Sequence, residues 1–139
     1  MLAKEAWAQV FQPGTHGTTF GGNPLAATVA NAVLAHLDAP LLAGVGERHA
    51  LIVDQLNALS ARYDAFSAVR GAGLLIGAEL AGPLRGKAKT LTNLAAEEGV
   101  IALIAGPDVL RFAPALNIQL ADIAEAFVRL DRAVARLTR

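Results

Sequence analysis

Residues Gly14 to Pro24, which read GTHGTTFGGNP, interrupt a chain of 139 residues that is otherwise rich in alanine and leucine. The glycines permit positive φ angles and let a ligand approach the backbone closely, and Thr18 and Thr19 add two hydroxyl groups. The loop leads into Asn23 and Pro24, a favourable N-cap followed by a residue suited to the first helical turn. Turns of glycine and threonine also arise for purely local reasons. These features by themselves allow either a phosphate site or a simple connector.

Apolar residues recur at helical spacing on both sides of this loop. The pattern predicts helices over about residues 1–10, 25–37, 41–62, 88–98 and 121–137. In the third of these, an apolar stripe runs from Leu42 to Leu59 and includes His49. Gly44 and Gly46 weaken its first turns, which indicates that the regular helix begins later.

Short apolar runs bounded by turn residues predict four strands. Residues 66–80 are expected to form two strands separated by Gly71 and Gly73, and residues 100–104 and 109–113 to form two more that are joined by a turn. From residue 25 onward, the resulting order is α-α-β-β-α-β-β-α. This order favours an α+β layer, in which helices cover one face of a small antiparallel or mixed sheet.

Composition excludes several classes of protein. The 12 basic and 12 acidic residues give a formal net charge of zero, so nothing indicates a nucleic-acid partner or an anionic membrane surface. The absence of cysteine removes disulfide and thiolate chemistry. No apolar stretch approaches the length of a bilayer span, and the first residues lack the apolar region of a signal peptide. We therefore expect a cytoplasmic protein.

Three segments, in the same order and at similar spacing, resemble a known family. They are GTHGTTFGGNPLAA at residues 14–27, VRGAGLL at 69–75 and VLRFAPALNI at 109–118. Together they resemble the signature sequences of class III aminotransferases, particularly the acetylornithine and ornithine members, and the resemblance covers essentially the whole chain. It implies an α/β parent of the pyridoxal-phosphate transferase fold type I. Residues 1–38 would end its large cofactor-binding domain, and residues 39–139 would form its C-terminal small domain with a mainly antiparallel sheet.

The resemblance also implies roles for three side chains. Thr19 would donate a hydrogen bond to the phosphate of pyridoxal 5'-phosphate across the interface of a homodimer with composite active sites, and Thr18 would lie against the substrate. Arg111 matches the arginine that binds the α-carboxylate of the substrate, including 2-oxoglutarate. A guanidinium suits this task because it donates two parallel hydrogen bonds to a carboxylate. Without the resemblance, an arginine on an alternating strand is more typical of a solvated face.

Other polar residues give weaker signals. Arg70 lies beside a glycine in a matched segment, and we expect it to hold a turn or a domain contact. His16, His36 and His49 lack the spacing of metal ligands, so no metal site is predicted. His16 lies in the matched loop and could orient it, whereas His49 is expected at the boundary of the core.

The resemblance places the lysine that forms the Schiff base with the cofactor upstream of the threonine loop. Lys4, Lys87 and Lys89 are the lysines of this sequence, and none matches that position, so no catalytic residue is assigned. We expect a truncated aminotransferase that is inactive alone. Its parent would act in arginine biosynthesis as an N-acetylornithine:2-oxoglutarate aminotransferase. The alternatives are an ornithine, succinylornithine or 4-aminobutyrate aminotransferase, and, from another class, a non-catalytic dimerisation or binding module.

Overall fold

Two helices and the glycine-rich loop between them form the first of two compact units, which comprise Met1–Asp38 and Ala39–Arg139. The computed structural model describes residues 4–12, 14–15 and 17–139. Helix α1 spans Glu5–Ala8 and helix α2 spans Pro24–His36. The predicted start of α2 is confirmed, because Asn23 Oδ1 accepts a hydrogen bond from the Ala26 N–H at 2.9 Å.

The second unit is an α+β layer, as the sequence predicts. Its elements are α3 (Ala39–Tyr63), β1 (Phe66–Ala72), β2 (Leu75–Leu80), a 3-10 turn (Gly82–Leu84), α4 (Ala88–Glu97), β3 (Leu103–Ile104), β4 (Val109–Phe112) and α5 (Leu120–Leu137). The strands form one antiparallel sheet in the order β1-β2-β4-β3. No single helix among the residues described is both long and apolar enough to cross a membrane.

Helix α3 begins at Ala39, close to the predicted residue 41 and not later: neither glycine adopts a positive φ, and the helix continues through both. One predicted boundary was wrong. Strand β3 is limited to two residues instead of five. The Val100 N–H donates to the Ala95 carbonyl at 2.8 Å, which closes the end of α4 and keeps this residue out of the sheet.

The two faces of the sheet differ sharply in burial. Ile76, Ala78 and Leu80 alternate along β2 and are 0% exposed, whereas Leu75 on the opposite face is 59% exposed. Helices α3, α4 and α5 supply the core against the buried face through residues such as Leu56, Leu91 and Leu130. The sheet therefore has one face covered by the helices of this unit and one face that they leave uncovered.

The turn between β1 and β2 is fixed by a glycine and a histidine. Gly71 has a φ of 155°, and a Cβ at this position would collide with the Leu75 carbonyl oxygen. The His49 ring nitrogen Nδ1 lies 2.6 Å from the Gly73 carbonyl oxygen. Because a carbonyl only accepts, Nδ1 carries the proton. His49 is thus a satisfied boundary residue, as predicted.

Ion pairs join the end of α4 to α5. The Glu98 carboxylate accepts hydrogen bonds from Arg132 at 2.8 Å and from Arg136 at 3.1 Å. Arg136 also pairs with Glu97. Hydrogen bonds from Arg132 and then from Arg136 hold the pKa of the Glu98 carboxyl below its ordinary value of 4.5. The charged form of Glu98 is therefore the one that the fold favours.

Leu130→Ala should lower the free energy of unfolding by about 2–5 kcal/mol, because Leu130 is 1% exposed and its loss would leave a cavity in the core. Val128 on the same helix is 56% exposed, so Val128→Ala should change it by less than about 0.5 kcal/mol. Urea unfolding of both variants tests this. Equal effects would contradict the assigned orientation of α5.

Glu98→Gln should destabilise the chain at neutral pH, and its difference from the wild type should shrink as the pH falls below 4.5. The sign follows because a carboxyl whose pKa is lower in the folded chain than in the unfolded chain stabilises the fold above its unfolded pKa. This stabilisation is lost as the pH falls and the carboxyl is protonated. Thermal unfolding between pH 3 and 7 measures the difference. Glu125→Gln, which breaks an exposed pair within α5, is the control and should show a weaker pH dependence. A difference between Glu98→Gln and the wild type that is constant with pH would refute the stabilising role of these ion pairs.

Candidate active site

The glycine-rich loop presents two threonine hydroxyls. Thr18 and Thr19 are both exposed, and neither forms an intrachain hydrogen bond to any residue that the structure describes. Gly21 lies under the Thr18 side chain, and a Cβ there would collide with Thr18 Cγ2. Gly22 has a φ of 74°, so both glycines serve the shape of the bend. The loop thus holds adjacent donors that an anion such as phosphate could use.

The helix end that follows the loop is already capped. Asn23 Oδ1 occupies the Ala26 N–H, and the Asn23 backbone carbonyl accepts from Ala27 at 3.0 Å. Asn23 Nδ2 also donates to the Phe20 carbonyl, which ties the helix start to the loop. An anion at this site would therefore use the hydroxyls and N–H groups of the loop more than the end of α2.

Arg111 lies in the second unit, on β4. Its neighbours Leu110 and Phe112 face the core: Leu110 is 0% exposed, and the Phe112 ring lies 6.0 Å from that of Phe127. Since side chains alternate along a strand, Arg111 faces the side of the sheet that the helices leave uncovered. Its cross-strand partners are Gly77 on β2 and Leu103 on β3. Gly77 contributes no side chain beside the guanidinium group.

The charge of Arg111 is not paired within the described chain. Arg48, Arg111 and Arg139 are the arginines without an ion pair among the residues that the structure describes. The Nε atom of Arg111 is buried and has no hydrogen-bond partner there. A buried donor without a partner is destabilising, so such an atom is a candidate for binding a ligand.

A cavity of about 260 Å³ lies beside Arg111. Its other walls are apolar and come from the segment after β4, the residues before β3, and helices α3 and α5; they include Pro114, Ile118, Leu103, Ile52 and Phe127. The apolar walls lie on the helix-covered side of the sheet, whereas the Arg111 side chain faces the uncovered side. The cavity therefore borders the strand that carries Arg111, and a carboxylate would reach the guanidinium from the uncovered face.

The structure assigns no binding site to the other polar residues considered from the sequence. Arg70 pairs with Glu79 on the neighbouring strand at 2.7 Å. Lys4, Lys87 and Lys89 are exposed, and none lies in the cavity beside Arg111. His16 lies outside the described residues, so its predicted effect on the loop stays a prediction.

Thr18 and Thr19 lie together on the loop of the first unit, whereas Arg111 belongs to the second unit.

Sequence reasoning missed Arg48, whose Nε donates to the Ile118 carbonyl at 2.6 Å beside the Arg111 cavity. No local pattern around Arg48 indicated this contact, because Ile118 is 70 residues away in sequence.

Comparisons with known proteins agree with this fold. The structure is similar to N-acetylornithine aminotransferase from Stenotrophomonas maltophilia, with a TM-score of 0.81 and 41% identity over 84% of this chain and 32% of that one. The fold is therefore that of the C-terminal region of the aminotransferases. The model of the aminotransferase class-III family matches residues 1–134, and the chain belongs to this family.

Individual relatives are similar over almost the full chain. A succinylornithine transaminase of Photorhabdus laumondii is 65% identical over 137 residues, which are 98% of this chain and 34% of that protein. An acetylornithine/succinyldiaminopimelate aminotransferase of Yersinia pestis is 49% identical over 140 residues, 100% of this chain and 35% of that protein. The chain thus spans about a third of the length of these relatives.

Proposed function

We propose that this chain is the C-terminal third of a pyridoxal-phosphate-dependent aminotransferase that transfers the amino group of an N-acylated ornithine to 2-oxoglutarate in the cytoplasm. The observation that carries the proposal is the buried, unpartnered Nε of Arg111. The α-carboxylate of an amino-acid or 2-oxo-acid substrate supplies the hydrogen-bond acceptor that this N–H group lacks.

Arg111 acts by binding and orientation. Two parallel hydrogen bonds from its guanidinium fix the plane of the carboxylate, and thereby the direction of the Cα–H bond. Gly77 opposite Arg111 leaves the guanidinium accessible from the uncovered face of the sheet.

The residues of the loop fit the phosphate of the cofactor. Thr19 would donate its hydroxyl proton to a phosphate oxygen, and Thr18, held above Gly21, would contact the substrate. When bound, pyridoxal phosphate supplies the electron sink for amino-group transfer. In our proposal the loop serves the active site of the other subunit of a homodimer, so each site is composite. Because none of the three lysines is placed for this chemistry, the isolated chain should be inactive.

The nature of the acyl group is a separate question. N-acetylornithine is the donor that the matched segments favour, and N-succinylornithine is the second candidate, because the relative with 65% identity is named a succinylornithine transaminase. Turnover of acetylornithine, succinylornithine and free ornithine by the complete enzyme that contains this chain distinguishes them. Equal turnover of all three would contradict selection for an acylated donor.

Arg111→Gln should raise the KM for 2-oxoglutarate by roughly 10- to 100-fold, because a neutral amide cannot replace a charge-assisted pair of hydrogen bonds. The measurement requires a hybrid enzyme, in which this chain replaces the matching third of the Photorhabdus transaminase. Arg62→Gln is the matched control, since Arg62 forms an exposed pair with Asp131. An unchanged KM in the Arg111 variant would refute the carboxylate site.

Thr19→Val should weaken binding of pyridoxal phosphate to the same hybrid by at least about tenfold, because it removes one charge-assisted hydrogen bond while preserving side-chain shape. Thr18→Val should instead raise the KM for the amino donor and leave cofactor affinity within about twofold. Absorbance titration of the apoenzyme measures the affinity. Equal losses in both variants would contradict the separate roles of the two threonines.

A further inference from the structure

We propose that Arg48 is a positioning residue for the Arg111 site, and this inference rests on the proposed function. Arg48 lies on α3, and its Nε donates to the Ile118 carbonyl at 2.6 Å while its Nη1 donates to the Gly44 carbonyl at 2.8 Å. Both contacts are partly buried. The guanidinium therefore links the first half of α3 to a segment that is 70 residues away in sequence.

The segment that Arg48 holds is the connection between β4 and α5, residues 113–119. Its internal hydrogen bonds are local: Ile118 N–H to Ala115 at 3.1 Å and the Gln119 side chain to Asn117 at 3.0 Å. Across the described part of the chain, the Arg48 contact is the one hydrogen bond that ties this segment to a distant element. The position of the segment thus depends strongly on Arg48.

This segment also forms a wall of the Arg111 cavity. Pro114 and Ile118 line that cavity together with Arg111. Because residues 113–119 follow β4 directly, fixing the Ile118 carbonyl limits movement of the end of the strand that carries Arg111, and orientation of a bound group is sensitive to shifts of about 1 Å. Arg48 forms no ion pair with any residue that the structure describes. Its hydrogen bonds are directed at backbone carbonyls, and it acts on the site through Ile118.

The local sequence allows Arg48 to lie along the helix. A Cβ at Gly44 would collide with Arg48 Nη1, whereas a Cβ at Gly46 would meet nothing within 4 Å. Neither glycine has a positive φ. Gly44→Ala and Gly46→Ala therefore bring the same gain in helix propensity, and only the first displaces the guanidinium.

The test compares these two variants in the hybrid enzyme. Gly44→Ala should raise the KM for 2-oxoglutarate by about fivefold with kcat little changed, which corresponds to the loss of about one net hydrogen bond. Its thermal midpoint should equal or exceed that of the wild type, and amide exchange in residues 113–119 should be faster. Gly46→Ala should show a thermal midpoint at or above that of Gly44→Ala, because it keeps the Arg48 hydrogen bonds, with wild-type KM and exchange.

Arg48→Ala extends the test, with an expected increase in KM of about tenfold, and Arg48→Lys should recover part of it because an ammonium group reaches one carbonyl. If Gly44→Ala and Gly46→Ala have the same KM and the same exchange in residues 113–119, the positioning role is refuted, even where Arg48→Ala unfolds the enzyme.

Arg111→Gln separates the two proposals. If Arg111→Gln raises the KM for 2-oxoglutarate and Gly44→Ala does not, the proposed role of Arg48 is wrong and the carboxylate site stands. If Arg111→Gln leaves the KM unchanged, the carboxylate site itself is wrong.

Discussion

Burial of one face of the four-stranded sheet against α3 and α5 is the constraint on which the second unit depends. Ile76, Ala78 and Leu80 can be removed from water only if β2 keeps its register with β4. A shift by one residue would turn each of these side chains to the opposite face. The same register directs Arg111 to the uncovered face, so the hydrophobic core and the orientation of the arginine are set together.

This orientation gives Arg111 an environment unlike that of the other strand arginine. Arg70 balances its charge with Glu79 at the surface, whereas the Nε of Arg111 is buried without a partner among the described residues. Exposed ion pairs contribute little to stability, but a shielded donor that lacks a partner favours binding of a complementary group. The contrast explains why two arginines on the same face of one sheet are expected to serve different purposes.

Periodic patterns predicted most of this fold. The stripe of α5 and the N-cap of α2 were recognisable because each depends on residues close in sequence, such as Asn23 and Ala26. The short β3 was not predicted, because the apolar run 100–104 does not show that the Val100 N–H closes the end of α4. Helix α3 runs through Gly44 and Gly46 in spite of their low helix propensity. Arg111 was found through the residues that flank it, whereas the hydrogen bond from Arg48 to Ile118 joins residues too far apart for any local pattern to indicate it.

The central claim is that Arg111 receives a substrate carboxylate, and a crystal structure of the hybrid enzyme with bound glutarate, an unreactive dicarboxylate, tests it most directly. We predict two guanidinium nitrogens of Arg111, Nε included, at about 2.7–3.1 Å from the two oxygens of one carboxylate. Glutarate bound elsewhere, with Arg111 paired to a carboxylate side chain of the enzyme itself, would contradict the claim.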